Sequence, residues 1–226
     1  DKIGYGTGNM TYGIIFQMIG TYIVFYATAV IGIPGSIIGT VVSITVLWDA
    51  ISDPMMGYIS DITRSKRYGR RHIYILIGTL SMALFNYFLW DVNPSWPPMV
   101  KYMVVFAGLF LVRTSLTIFL TPFTALGAEL TSDYDERTSI QGIRMIFFIL
   151  GLMGATVMGF LLFFNPTPEY PVGQLNPDAY RNMGLTVSLL ALISGLISYF
   201  STKKYIPDLP VFSKETMEAS GIKTLI

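Results

Sequence analysis

Asp49 and Asp53 stand one helical turn apart inside an apolar stretch that runs over 35–59. Positions i and i+4 share one face of a helix, so the two carboxylates converge. A carboxylate at the centre of a membrane helix costs roughly 2.5 to 3.5 kcal/mol on insertion scales, and something must offset that cost. The segment GTVVSITVLWDAISDPMMGYISD is long enough to cross a bilayer at about 1.5 Å per residue. The pair therefore faces a water-filled cavity or binds a cation. Two carboxylates offer hard oxygen donors and a net charge that suits Na+ or a proton, and we read them as a cation site. The competing reading is a pair solvated at the end of a helix that stops early. It is the better reading for Asp61, which precedes a basic loop. Pro54 removes a backbone donor beside the pair and predicts a kink or a freed carbonyl there.

The elements that must hold this pair are legible in the composition. The chain is 52% hydrophobic and only 13% charged, against about one quarter charged in soluble domains. Its apolar residues fall into six blocks near spanning length, over 12–31, 35–59, 73–90, 101–128, 143–164 and 183–200. That pattern predicts an all-α membrane protein with six transmembrane helices. The fourth block needs tilt or a projection into water. Orientation follows from the basic residues. Arg64, Lys66, Arg67, Arg70 and Arg71 crowd the second connection, and Arg137, Lys203, Lys204, Lys214 and Lys223 lie in the fourth connection and the tail. The other connections carry few positive charges, so the expected placement is a multi-pass protein of the cell membrane with both termini cytoplasmic.

That topology also accounts for the TRSKRYGRRH run without any nucleic-acid partner. The chain has no Cys, which excludes a disulfide framework and a thiolate metal site. It begins DKIGYG with no cleavable signal pattern, and the missing Met suggests a start just inside the natural one. The domain division is a bundle over 1–205 and the start of a cytoplasmic connector over 206–226, broken at Pro207 and Pro210. An enzyme is not expected. GYGTG follows no strand, and the single His72 lies at the predicted membrane edge, where an interface anchor is favoured over a proton relay.

Two blocks carry a family resemblance. The run from Trp48 to Arg71, WDAISDPMMGYISDITRSKRYGRR, resembles the helix-II and loop 2-3 signature of the glycoside-pentoside-hexuronide cation symporters, the melibiose-permease-like branch of the major facilitator superfamily. The run from Thr121 to Arg137, TPFTALGAELTSDYDER, resembles that family's helix-IV signature, and KIGYG resembles its N-terminus. The resemblance implies one half of a major facilitator fold, built as a 3+3 inverted repeat, with solute held near the midplane between two halves. It implies a C-terminal six-helix half or a second copy as partner, besides the lipid bilayer. It also implies Na+ or H+ as the coupling cation, with no other cofactor.

Residue by residue, the resemblance implies that Asp49 and Asp53 bind the coupling ion, with Thr117 beside it and Ser52 tuning ion choice. Read alone, Thr117 is more often a packing residue that bonds back to its own helix. The family's two galactoside-gripping carboxylates fall on Gly13 and Leu120, and its aromatic platform falls on Thr124. Melibiose itself is therefore not the expected solute. Arg144 matches the family's helix-V arginine, although it also fits a snorkelling anchor. Tyr12, Gln17, Thr121 and Thr124 complete the candidate solute face. Arg113, mid-span in LFLVRTSLTIF, admits two readings. It recognises an acidic solute group, or it pairs with Asp49 or Asp53 or snorkels along a tilted helix. The resemblance further implies a conformational charge network of Asp61, Arg64, Arg70, Arg71, Asp133, Glu136 and Arg137, against a plain solvated-loop reading.

The function expected is a secondary active transporter coupling Na+ or H+ to uptake of a sugar, glycoside or hexuronide-like solute. The alternative is a non-transporting scaffold or receptor on a degenerate transporter half. The topology is directly testable. Single cysteines at Ser36 and Gln174 should label from outside the cell, and those at Ser65 and Ser132 only from inside. The reverse pattern would overturn the orientation.

Overall fold

The computed structural model describes residues 2–63, 65, 69–131 and 133–208. Among these, six helices are long and apolar enough to cross a membrane. They are α1 (Lys2–Phe25), α2 (Gly35–Ile62), α3 (His72–Trp90), α4 (Pro98–Glu129), α5 (Tyr134–Met158) and α6 (Pro177–Lys203). Their starts follow local chemistry. Pro34 and Pro97 precede α2 and α4. Asp133 caps α5 by accepting from the Glu136 amide at 2.7 Å, and Asn176 caps α6 by accepting from Asp178 at 3.0 Å. Each cap satisfies a donor that the first helical turn would otherwise leave open.

Two helices begin well before the apolar blocks predict. α1 starts at Lys2 and α5 at Tyr134, because polar first turns continue the helix once capped or packed. At the opposite end, α1 and α5 each loosen into a π turn, Tyr26–Val30 and Gly159–Phe163. Of the connector predicted over 206–226, the described part is a short 3-10 turn, Ile206–Asp208.

α1 packs along α5 and α6, α4 packs along α2 and α3, and α3 packs on α6. Exchanging helices 1-2-3 for 4-5-6 maps α1·α5 onto α4·α2, maps α1·α6 onto α4·α3, and leaves α3·α6 unchanged. Paired three-helix units related by a pseudo-two-fold axis produce this pattern. The core between the units is largely aromatic. Tyr26, Trp90 and Tyr180 are fully buried and mutually stacked or tilted, and Phe119, Phe123 and Tyr5 form a second group nearer the termini.

The α1–α5 seam depends on two glycines. A Cβ on Gly13 would stand 2.7 Å from the Phe148 carbonyl oxygen, and one on Gly151 would stand 2.8 Å from the Met10 carbonyl oxygen. The two backbones meet there, so position 13 has no room for the carboxylate of the family pattern. By contrast α2 rests mainly on α4. Leu47 and Ile51 of α2, like Ile146 and Met153 of α5, are broadly exposed apolar side chains. Such faces need lipid or a partner surface.

The seam separates two glycines of one helix. Gly151→Ala should lower the unfolding midpoint in detergent through overpacking of about 1–3 kcal/mol. Gly154→Ala, where an added Cβ meets nothing within 4 Å, should be neutral or stabilising by up to about 1 kcal/mol through helix propensity.

Candidate cation and solute site

α2 and α4 run side by side in the same direction, and Trp48, Asp49, Ser52 and Asp53 of α2 each face a residue 64 to 66 positions later. This register sets two rungs. In the first, the Arg113 Nη1 donates to Asp49 Oδ2 at 2.9 Å. In the second, the Thr117 hydroxyl donates to Asp53 Oδ1 at 2.7 Å. Ser52 Oγ lies 3.4 Å from Thr117 Oγ1. With the Thr117 proton committed to Asp53, Ser52 is the donor of that contact. Thr114 and Ser115 bond back to their own helix at 2.8 Å. The Thr117 hydroxyl, expected to do the same, reaches across to α2. Above the rungs the Trp48 indole donates to Thr114 at 3.0 Å and fixes the register.

α2 continues through Pro54 to Ile62. Pro54 has no N–H for the Ala50 carbonyl, so one carbonyl between the two aspartates lacks its helical donor. Ser52 and Thr117 are buried, whereas the Asp49 and Arg113 side chains keep 24% and 18% exposure. Asp53 is exposed. Asp49 Oδ1 and Arg113 Nε are buried without a hydrogen-bond partner among the described residues, so the ion pair rests on a single contact. Tyr12 and Phe16 of α1, with Leu116 and Leu120 of α4, close a cleft of about 50 Å³ around these groups. That volume suits an ion with a water or two. A sugar ring needs walls from elsewhere.

The remaining solute candidates are dispersed. Tyr12 lines the cleft and stacks on Phe148. Gln17 spends its amide donors on Thr21 and Thr156, both at 3.0 Å, bridging α1 to α5. Thr121 faces Gly57 across the α2–α4 seam, and Thr124 is exposed on α4. Arg144 is half-buried on α5 with its guanidinium 5.9 Å from the Phe123 ring centroid. Its Nε and Nη1 are buried without a hydrogen-bond partner among the described residues. Of the two readings of Arg113, the structure shows the pair with Asp49.

At the end of the bundle where α1 begins and α6 ends, Glu129 closes α4 and gathers two arginines. Arg71 donates to it twice, at 2.8 and 3.0 Å, and Arg70 donates once. Arg71 also reaches Asp61 of α2 at 2.9 Å. The cluster thus ties α2 and α4 to the connection before α3. Glu129 carries no role in the sequence-based expectations. Its signal there is that it is the sole acid over 114–132. Arg64 lies outside the described residues. Asp133, Glu136 and Arg137 do a different job: Asp133 caps α5, Glu136 holds Thr131 and Lys2, and Arg137 donates to the Ala128 and Thr131 carbonyls. His72 is fully buried against Thr202 and Tyr199. It is a packed link between α3 and α6, where a membrane-edge anchor was expected.

The sequence profile of the family described as "MFS/sugar transport protein" matches residues 4–225. An uncharacterized symporter of Synechocystis sp. is 31% identical over 199 residues, covering 84% of this chain and 35% of its own. The inner membrane symporter YicJ of Escherichia coli is 30% identical over 213 residues, covering 93% and 44%. A sodium-dependent lysophosphatidylcholine symporter of Danio rerio is 25% identical over 168 residues, covering 74% and 31%. The chain thus spans less than half the length of these curated relatives.

The charge cluster makes a prediction of its own. Glu129→Gln leaves Arg70 and Arg71 without their shared acid in a site where the Glu129 and Arg71 side chains are only 13% and 8% exposed. Stability should fall by roughly 3–5 kcal/mol, the usual cost of breaking a buried pair. Asp61→Asn, at a side chain 58% exposed, should cost below about 1 kcal/mol. Detergent thermal unfolding of both variants checks the order.

Proposed function

Because the chain belongs to the MFS/sugar transport family, we propose that it forms the N-terminal half of a secondary active transporter. That transporter couples Na+ or H+ to the movement of a sugar, glycoside or hexuronide-like solute. The observation that carries this reading is the α2–α4 rung pair, two carboxylates and two hydroxyls converging on a small cleft in an otherwise apolar layer. Oxygen donors of this kind suit a hard monovalent cation, and one relative is named as sodium-dependent. The site centres on Asp49 and Asp53, with Ser52 and Thr117 as hydroxyl ligands.

The solute lies against Tyr12, Gln17, Thr121, Thr124 and Arg144, with Arg113 held by Asp49, and a C-terminal six-helix half or a second copy supplies the missing walls. In this arrangement both termini are cytoplasmic, residues from 206 onward begin the connector, and the protein sits in the cell membrane. The Asp61, Arg70, Arg71 and Glu129 cluster holds the cytoplasmic ends of α2 and α4 together in one state. Its release lets the helices part in the other, so that ion and solute act on the same equilibrium. Linkage then requires that each raises the other's affinity by an equal factor, about 5- to 150-fold for a coupling of about 1 to 3 kcal/mol.

The complete transporter in proteoliposomes tests this. Asp49→Asn and Asp53→Asn should each abolish uptake stimulated by a Na+ or proton gradient while inserting normally, because a neutral side chain carries a lower insertion cost. Ion stimulation of wild-type size in the double variant would rule out the cation site. It would leave the scaffold reading in its place.

A further inference from the structure

The two rungs are chemically unequal, and the inequality assigns a role to Arg113. On α2 the carboxylates sit at i and i+4, and on α4 Arg113 and Thr117 share the same spacing. Each α4 residue therefore meets one carboxylate. Asp49 receives a full positive charge at 2.9 Å, and Asp53, among the described residues, receives the Thr117 hydroxyl alone at 2.7 Å, which Ser52 in turn approaches at 3.4 Å. A guanidinium cannot be deprotonated in a protein. The charge beside Asp49 is therefore permanent. With Arg113 in place the cleft carries one net negative charge; without it, two.

We propose that Arg113 is a tethered cation that fills the Asp49 half of the acidic pair, leaving Asp53, Thr117 and Ser52 as a one-charge site for a single monovalent coupling ion. The inference rests on the cation-site reading above and refines it. Asp49 matters because it occupies Arg113, not because it touches the ion. The pair is built to hold without locking. It has one hydrogen bond where a guanidinium and a carboxylate can make two, and Asp49 Oδ1 and Arg113 Nε are both left over. A freed Arg113 lies one turn from Asp53, near enough to take the site from the ion. Arg113 is thus a specificity-determining residue: it sets the charge the cleft presents, and with it the charge of the ion admitted.

Charge reversal of a deletion phenotype is the test. The complete transporter is purified in detergent, and its unfolding temperature is followed against NaCl with choline chloride holding ionic strength constant, then against CaCl2. Asp49→Asn alone should lose the sodium response, because Arg113 turns to Asp53. Asp49→Asn/Arg113→Gln together restore the single charge and should recover a response within about threefold of wild type. Arg113→Gln alone presents two carboxylates. It should respond to sodium at a concentration at least tenfold lower than wild type and should admit calcium, whereas Arg113→Lys keeps the wild-type pattern.

A double variant as unresponsive as Asp49→Asn would show that Asp49 is itself an ion ligand and overturn the proposal. So would an Arg113→Gln protein that folds but responds to sodium no better than wild type. Should Arg113→Gln not fold, the comparison of Asp49→Asn with the double variant decides alone. Asp53→Asn should be unresponsive in every background. A sodium response that survives it would overturn the cation site itself, and this inference with it.

Discussion

A charged group in an apolar layer must be matched by another charge, by hydrogen bonds or by water, and the arrangement of α2 against α4 follows from that requirement. Asp49, Asp53 and Arg113 all lie within candidate membrane spans. Left unpaired, each would cost several kcal/mol. The parallel register of α2 and α4 brings Arg113 to Asp49 and Thr117 to Asp53, so the helix pair is specified by polar contacts. Few large apolar contacts hold α2 to the rest of the bundle. Half of its buried residues are polar: Thr45, Ser52 and Ser60, beside Ile38, Val41 and Met56.

The opposite seam is made differently. α1 and α5 meet through Gly13 and Gly151, backbone against backbone. Small residues allow close approach where lipid removes the usual hydrophobic drive between helices. At Gly13 and Gly151 no side chain separates the two helices, whereas the α2–α4 seam is joined by polar side chains. The bundle therefore combines one seam with close backbone contact and one seam of polar side-chain contacts, and the latter carries the Asp49–Arg113 pair.

How much of this was legible in the sequence depends on the kind of information each feature needs. The six helices were legible, since spanning length and apolarity are local properties, and so was the acidic pair, since i, i+4 spacing is local too. The starts of α1 and α5 were not. KIGYGTGNM and YDERTSIQG are too polar for a span and become helical through caps and packing against distant chain. The partner of Arg113 was open between Asp49 and Asp53, because choosing needs the relative register of helices 64 residues apart. Glu129 was missed for the same reason. Its importance comes from two arginines that belong to another connection. Thr117 and Ser52 entered by family resemblance, and spacing alone favoured a Thr117 that bonds to its own helix.

The two charge sites on α2 and α4 differ in what their burial lets them do. At the terminal end, Arg71 and Glu129 are nearly enclosed and multiply bonded, and such a cluster is costly to open one partner at a time. At mid-helix, the Asp49–Arg113 pair rests on one hydrogen bond beside a cleft, and water or an ion can reach it. Both sites lie on the same two helices. Under the proposed mechanism, parting α2 from α4 requires the terminal cluster to exchange its bonds. In that proposal an ion at the cleft and the bonds at the terminal cluster act on the same helix pair.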